Sequence, residues 1–152
     1  MKRIPLTQGM FALVDDEDYE SVNQWKWCSK WNEDTQSYYA FRKDKNRTVY
    51  MHRYIMNTKK GMMCDHISHD TLLNCRKNLR NVTRSQNGMN RRSVNSNNST
   101  GFLGVQRHGK GYHAHISINC KRIWLPVRAT IEEAIVDRKL AEIKYYGEYR
   151  GE

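Results

Sequence analysis

The dipeptide Asp65-His66 sets a carboxylate beside an imidazole, and two asparagines follow at spaced intervals. Asn78 comes twelve residues after the histidine and Asn87 nine further on. These side chains supply what metal-assisted phosphodiester cleavage needs. A carboxylate such as Asp65 holds a hard divalent cation through oxygen. An imidazole such as His66 takes a proton from water near neutral pH. Asn87 offers a second, neutral oxygen ligand, and the Asn78 amide can fix either a loop or the histidine.

The residues around them favour a polyanionic partner. No Asp or Glu occurs between Thr71 and Ile131, yet Arg76, Lys77, Arg80, Arg84, Arg91, Arg92, Arg107, Lys110, Lys121, Arg122 and Arg128 all fall there. The whole chain carries a formal net charge of +10 over 152 residues, a balance that attracts nucleic acid. That length accommodates one medium domain or two small ones, and an ordinary hydrophobic content predicts a folded protein rather than a basic tail.

No apolar run approaches the length of a membrane-spanning helix, so a membrane partner is not expected. Met1-Lys2-Arg3 leads at once to Pro5, Thr7, Gln8 and Gly9, without the apolar stretch of a secretory leader. Cys28, Cys64, Cys75 and Cys120 are scattered, with no Cys-x-x-Cys pair. That spacing argues against a four-cysteine zinc site and a secreted disulfide framework. It predicts reduced, mostly buried thiols in a cytoplasmic protein.

The elements that must position these groups are short. Phe11–Val14 reads as a strand, and the acidic run Asp15, Asp16, Glu17, Asp18 and Glu20 as a solvated turn and short helix. Residues 24–30, 38–42 and 48–51 carry the aromatic and β-branched enrichment of strands, with Trp25 and Trp27 as packing residues. Residues 51–57 fit one or two helical turns. A strand over 63–67 then carries Asp65 and His66, and a returning strand spans 78–82. Thr83 with Gln86 forms a capping box that opens a helix containing Asn87. A hairpin followed by a helix can bring Asp65, His66 and Asn87 around one ion.

The polar stretch 88–100 forms a natural boundary. Beyond it, residues 101–107, 112–119 and 121–126 alternate as strands, with turns at 109–111 and near 119–120. Thr130 with Glu133 starts a helix with Ile131, Ala134, Ile135, Ala141 and Ile143 on a patchy apolar face, ended by Gly147. The expected class is α+β: a β-rich N-terminal region leading into the hairpin–helix core, then a three-stranded antiparallel sheet packed on one helix.

Residues 48–90 resemble the HNH endonucleases of the ββα-metal class, in the branch found among phage and intron-encoded homing enzymes. His52-Arg53, Asp65-His66-Ile67, Asn74 before Arg76, Asn78-Leu79 and the run Val82-Thr83-Arg84-Ser85-Gln86-Asn87 carry the resemblance. It implies Asp65 and Asn87 as ligands of one Mg²⁺ or Mn²⁺ per active site, His66 as the general base and Asn78 as the residue that orients it. Ser68-His69 stands where that family usually has an Asp-Gly turn.

Residues 101–150 resemble the plant ethylene-response-factor (Apetala-type) DNA-binding domain, through Gly101-Phe102-Leu103-Gly104-Val105, Tyr112-His113-Ala114-His115-Ile116, Lys121-Arg122-Ile123-Trp124-Leu125 and the final helix. This resemblance implies that the sheet enters the major groove of duplex DNA. The corresponding face presents Gln106, His108, His115, Ser117, Arg122 and Trp124. The implied organisation is a nuclease region over 1–90, a polar basic linker over 91–100 and a DNA-binding domain over 101–152.

Each remaining candidate has two readings. His52 fits a packing residue at a short helix, or else a metal ligand. His69 fits a turn residue, or else a contact to phosphate or metal. Asn74 fits a stabiliser of the loop between strands. Arg91 and Arg92, in a flexible segment, suit phosphate contacts rather than base reading. The expected activity is metal-dependent hydrolysis of duplex DNA. One site per chain cuts one strand, so either a nicking monomer or a homodimer fits. The rival expectation is a DNA-binding regulator whose nuclease half is only a scaffold.

Overall fold

Short runs of alternating polar and apolar residues give this chain many brief strands instead of one large sheet. The computed structural model describes residues 1–94, 97–119 and 121–151, so Cys120 and the expectations placed on it lie outside the described residues. The chain divides between Thr83 and Arg84 into two compact units. The fold is α+β, with several small sheets. Among the described residues no helix is long and apolar enough to cross a membrane.

In the first unit β1 (Lys2–Pro5) and β2 (Phe11–Val14) pair antiparallel, and β7 (Leu73–Asn74) joins β2 in parallel. A second antiparallel sheet contains β3 (Cys28–Asn32), β4 (Ser37–Asp44) and β5 (Arg47–Tyr50). The third is a two-stranded ladder of β6 (Met63–His66) and β8 (Leu79–Val82). Two short helices, α1 (Asp16–Asn23) and α2 (Met51–Ile55), complete the unit. Ile4, Val14, Val22, Trp27, Met51 and Leu79 share one buried core. Burying each large apolar side chain contributes roughly 1.5–3 kcal/mol. Cys28, Cys64 and Cys75 are unpaired thiols, and Cys75 is buried.

Two expectations for this unit need correction. The strand expected over residues 24–30 begins only at Cys28. Trp27 turns in at the end of α1, its indole N–H donating to the Val22 carbonyl at 2.9 Å, while Trp25 carries the Arg42 guanidinium on its ring. The acidic run is also more than a solvated turn. Asp18 is buried and accepts two hydrogen bonds from Arg76, from Nε at 2.8 Å and Nη2 at 2.7 Å, and Asp15 accepts from the Arg76 amide at 2.7 Å. These acids clasp the 3₁₀ turn Arg76–Asn78 that precedes β8.

The second unit opens with α3 (Arg84–Met89), whose Met89 packs with Ile116, Ala141 and Tyr146. The strands β9 (Val105–His108), β10 (Gly111–Ile118) and β11 (Lys121–Trp124) form an antiparallel sheet with β10 in the centre. The sheet packs on α4 (Ile131–Tyr146), with Val105, Ala114 and Ala134 at the contact. Thr130 and Glu133 form the capping box read from the sequence. Ile143 leaves the expected apolar face and is 58% exposed. At 3.6 residues per turn it falls beside exposed Val136 and Leu140, away from the sheet.

Replacing Arg76 with Ala strands a buried carboxylate. We expect Arg76→Ala to lower unfolding stability by about 2 kcal/mol, somewhat below the loss for a fully buried ion pair because Arg76 is half exposed. Glu20→Ala, on the exposed side of α1, should stay within about 0.5 kcal/mol of wild type. Urea denaturation compares them, and equal midpoints for the two variants would refute the clasp.

Candidate functional site

Asp65 and His66 stand side by side at the end of β6 and find different partners. Asp65 lies opposite Arg80 in the β6–β8 register. Arg80 Nε and Nη2 both donate to Asp65 Oδ2, at 3.0 and 2.9 Å, and both side chains are largely shielded from solvent. His66 sits among Asn74, His52 and Tyr39. The His52 and His66 ring centroids are 4.9 Å apart, and Tyr39 meets both rings near 6 Å, at 5.8 and 6.0 Å.

Asn74, fully buried, sets the tautomer of His66. Its Nδ2 donates to the Leu72 carbonyl at 3.2 Å and the Thr71 carbonyl at 3.5 Å. Its Oδ1 therefore faces His66 Nε2 as the acceptor, at 3.2 Å. The imidazole donates through Nε2–H, which leaves Nδ1 as the basic nitrogen. Burial lowers the His66 pKa, an effect larger than the opposing ones of the hydrogen bond to Asn74 and the nearby charges of Asp65 and Asp70. The ring is neutral at neutral pH.

The resemblance implies that Asn78 orients the histidine, but the side chain against the imidazole is Asn74. Asn78 holds the loop between β6 and β8. Its Oδ1 accepts from the Ser68 amide at 2.9 Å, and its Nδ2 donates to the carbonyls of Leu73 at 2.8 Å and Asp70 at 3.3 Å. His69 takes a turn conformation with φ +66°, its amide donating to the His66 carbonyl. His52 is buried at α2 against Tyr39, Tyr50 and His66. Asn87 lies in α3, in the second unit.

The donor set near His66 fits a hard cation through one carboxylate, Asp65, since Mg²⁺ fills most of its coordination shell with water and phosphate oxygens. Arg80 shares that carboxylate. Among the described residues the closest grouping of three acidic, cysteine or histidine groups is elsewhere, at Asp15, Glu17 and Asp18, and Arg76 already engages all three, Asp15 through its amide and Asp18 and Glu17 through its guanidinium.

On the second unit the register sets His113 beside Gln106, His115 beside Trp124 and Ser117 beside Arg122. Gln106, His108, His115, Ser117, Arg122 and Trp124 thus share the sheet face opposite α4. The sequence reading left out His113. It stacks between His108 and Trp124, with ring centroids 4.6 and 4.3 Å away, and Gln106 Nε2 lies 2.9 Å from its Nε2. The signal was present, because His113 shares strand parity with His115 and Ser117. Burial, with Arg122, Arg138 and His113 nearby, pushes His115 down to about 4. Arg122 reaches over the Trp124 ring at 5.3 Å. Arg91 donates from Nε to the Ser93 carbonyl, and exposed Arg92 follows it.

Comparison with protein-family models, curated proteins and solved structures finds no match for this chain.

His52 carries a testable pH dependence. Burial, then the neighbouring His66 and Arg53, lowers it from 6.5 to about 3. Below pH 6.5 the unfolded chain binds this proton and the folded one does not, so stability falls as pH drops and the loss is complete near pH 3. Between pH 7.5 and 5 the expected loss is about 2 kcal/mol. His52→Gln should flatten this part of the profile in denaturant titrations. An acid limb as steep as that of wild type would locate the buried proton elsewhere.

Proposed function

We propose that this chain is a metal-dependent DNA endonuclease of the HNH type, with its C-terminal sheet serving site recognition. The observation that carries this reading is the contact between His66 Nε2 and Oδ1 of buried Asn74, at 3.2 Å. A buried Asn74 holds Nε2–H, so Nδ1 is the nitrogen that accepts a proton from the attacking water. The water oxygen bonds to phosphorus, its proton passes to Nδ1, and the bond to the 3′ oxygen breaks. Asp65 is the carboxylate that would hold the divalent ion, which when bound offsets charge developing on the phosphoryl and leaving oxygens. Asn78 contributes indirectly, by keeping residues 68–73 in the shape that delivers Asn74.

One observation favours the rival reading. Arg80 places a cation on Asp65 where the metal is needed, as expected of a scaffold that has lost its ion. Plasmid DNA incubated with and without Mg²⁺ separates the two. Conversion of supercoiled to open-circular or linear DNA supports the enzyme; gel retardation without cutting supports a DNA-binding regulator. For the enzyme, His66→Ala should lower the cleavage rate at least about 10²-fold while leaving DNA affinity nearly unchanged. Cleavage within a factor of two of wild type would remove His66 from the chemistry.

For the recognition face, His108, His113 and Trp124 form an aromatic stack beside Arg122, a surface suited to base edges and sugar. Arg122→Ala and Trp124→Ala should weaken binding to the preferred site more than to random DNA. Arg91→Ala and Arg92→Ala should weaken both about equally and make the salt dependence shallower. Competition binding against a selected and a scrambled duplex checks this. Site preference governed by the linker arginines would mean that the sheet is not the reading surface.

A further inference from the structure

Beside the recognition face, within the second unit, lies a cavity of about 640 Å³ whose lining includes Arg84, Arg91, Arg122, Arg138, Ser85 and Ser117 and, among the described residues, no carboxylate. Four guanidiniums around one opening create a preference for an anion. They do not contribute equally. Arg138 is committed internally: its Nε donates to Glu142 at 2.7 Å and its Nη1 contacts the His115 carbonyl. Arg84 and Arg122 make no ion pair among the described residues, where the paired carboxylates of this unit, Asp137 and Glu142, are taken by Arg128 and Arg138. The serines add hydroxyls. Ser85 Oγ accepts from the Asn119 amide at 3.1 Å, which directs its own proton away from that amide.

We propose that this cavity binds a backbone phosphodiester of duplex DNA, with Arg84 as a cationic contact from outside the recognition sheet. The assignment rests on the reading of the sheet as a DNA-binding face and deepens it. Gln106, His115, Ser117 and Arg122 belong both to that face and to the cavity wall, so a strand whose bases meet the sheet lays its phosphates over the opening. The volume exceeds a single phosphate and suits a length of sugar-phosphate chain. Arg84 is exposed and stands at the start of α3, where it can change without disturbing the sheet. Because it meets phosphate and not bases, its contribution is independent of sequence.

The test uses the full chain and measures duplex affinity against salt for the preferred and a random sequence. Arg84→Gln should make the log–log salt slope shallower by about one unit on both sequences, as loss of one phosphate contact does. Arg84→Lys should keep the wild-type slope, and so should Lys139→Gln, which removes an exposed charge from α4. An unchanged slope in Arg84→Gln, with duplex binding intact, would overturn the phosphate cavity and leave the DNA-binding reading standing. A change in site preference instead of slope would also overturn it, by making Arg84 a base reader. Saturable displacement of DNA by inorganic phosphate at constant ionic strength would reassign the cavity to a free anion. If the wild-type chain binds no duplex at all, the underlying reading falls and the proposal with it.

Discussion

Two buried asparagine side chains hold the loop between β6 and β8 in place. Most residues of that loop are polar, and buried backbone groups without partners are costly, at roughly 1–3 kcal/mol each. Asn78 satisfies one amide and two carbonyls of residues 68–73. Asn74 satisfies two more carbonyls and then turns its remaining oxygen to His66. The loop geometry and the histidine tautomer are therefore one constraint. A carboxylate at position 74 would lack the amide donors for the Thr71 and Leu72 carbonyls, and an apolar residue would release the imidazole. An amide supplies donor and acceptor at once, which explains why this position is Asn.

The same loop is tied at its far end by charge. Arg76 follows β7 directly and reaches Asp18 on α1, while its backbone amide binds Asp15. That clasp joins the acidic helix near the N-terminus to the turn that launches β8, across about sixty residues of sequence. It gives the early acids a structural task and removes them from consideration as a cation site. The arrangement is economical: β2 and β7 pair in parallel for two residues only, and the ion pair supplies directional attachment that so short a ladder lacks.

Some of this was legible because local chemistry decides it. The α4 boundaries follow from the Thr130/Glu133 box and from Gly147, which has φ +51°. Alternation with Ile123 and Leu125 sets Arg122 and Trp124 on one side of their strand, and the antiparallel register places Gln106, His115 and Ser117 with them. Other features depend on long-range contacts that no local pattern encodes. Asn74 looked like a loop residue because its contact with His66 spans eight positions and a change of strand. Arg80 looked like one more basic residue until the antiparallel register set it opposite Asp65. His69 adopts the left-handed conformation that favours glycine, with φ +66°, at a strain of about 1 kcal/mol.

The pairing of Asp65 with Arg80 carries a consequence for chemistry at this site. An isolated carboxylate on a largely shielded strand position is costly to keep ionised, so some cation must accompany it whether or not a metal is bound. Arg80 meets that need from the neighbouring strand, through a single oxygen of Asp65. A divalent ion entering such a site has to compete with a guanidinium already in place, and it prevails only where phosphate oxygens and water complete its coordination. On the nuclease reading, metal binding at Asp65 would be coupled to the arrival of the substrate phosphate. Binding and hydrolysis would then depend on each other through charge, and an ion pair that at first argues against metal binding would become a reason for it to await DNA.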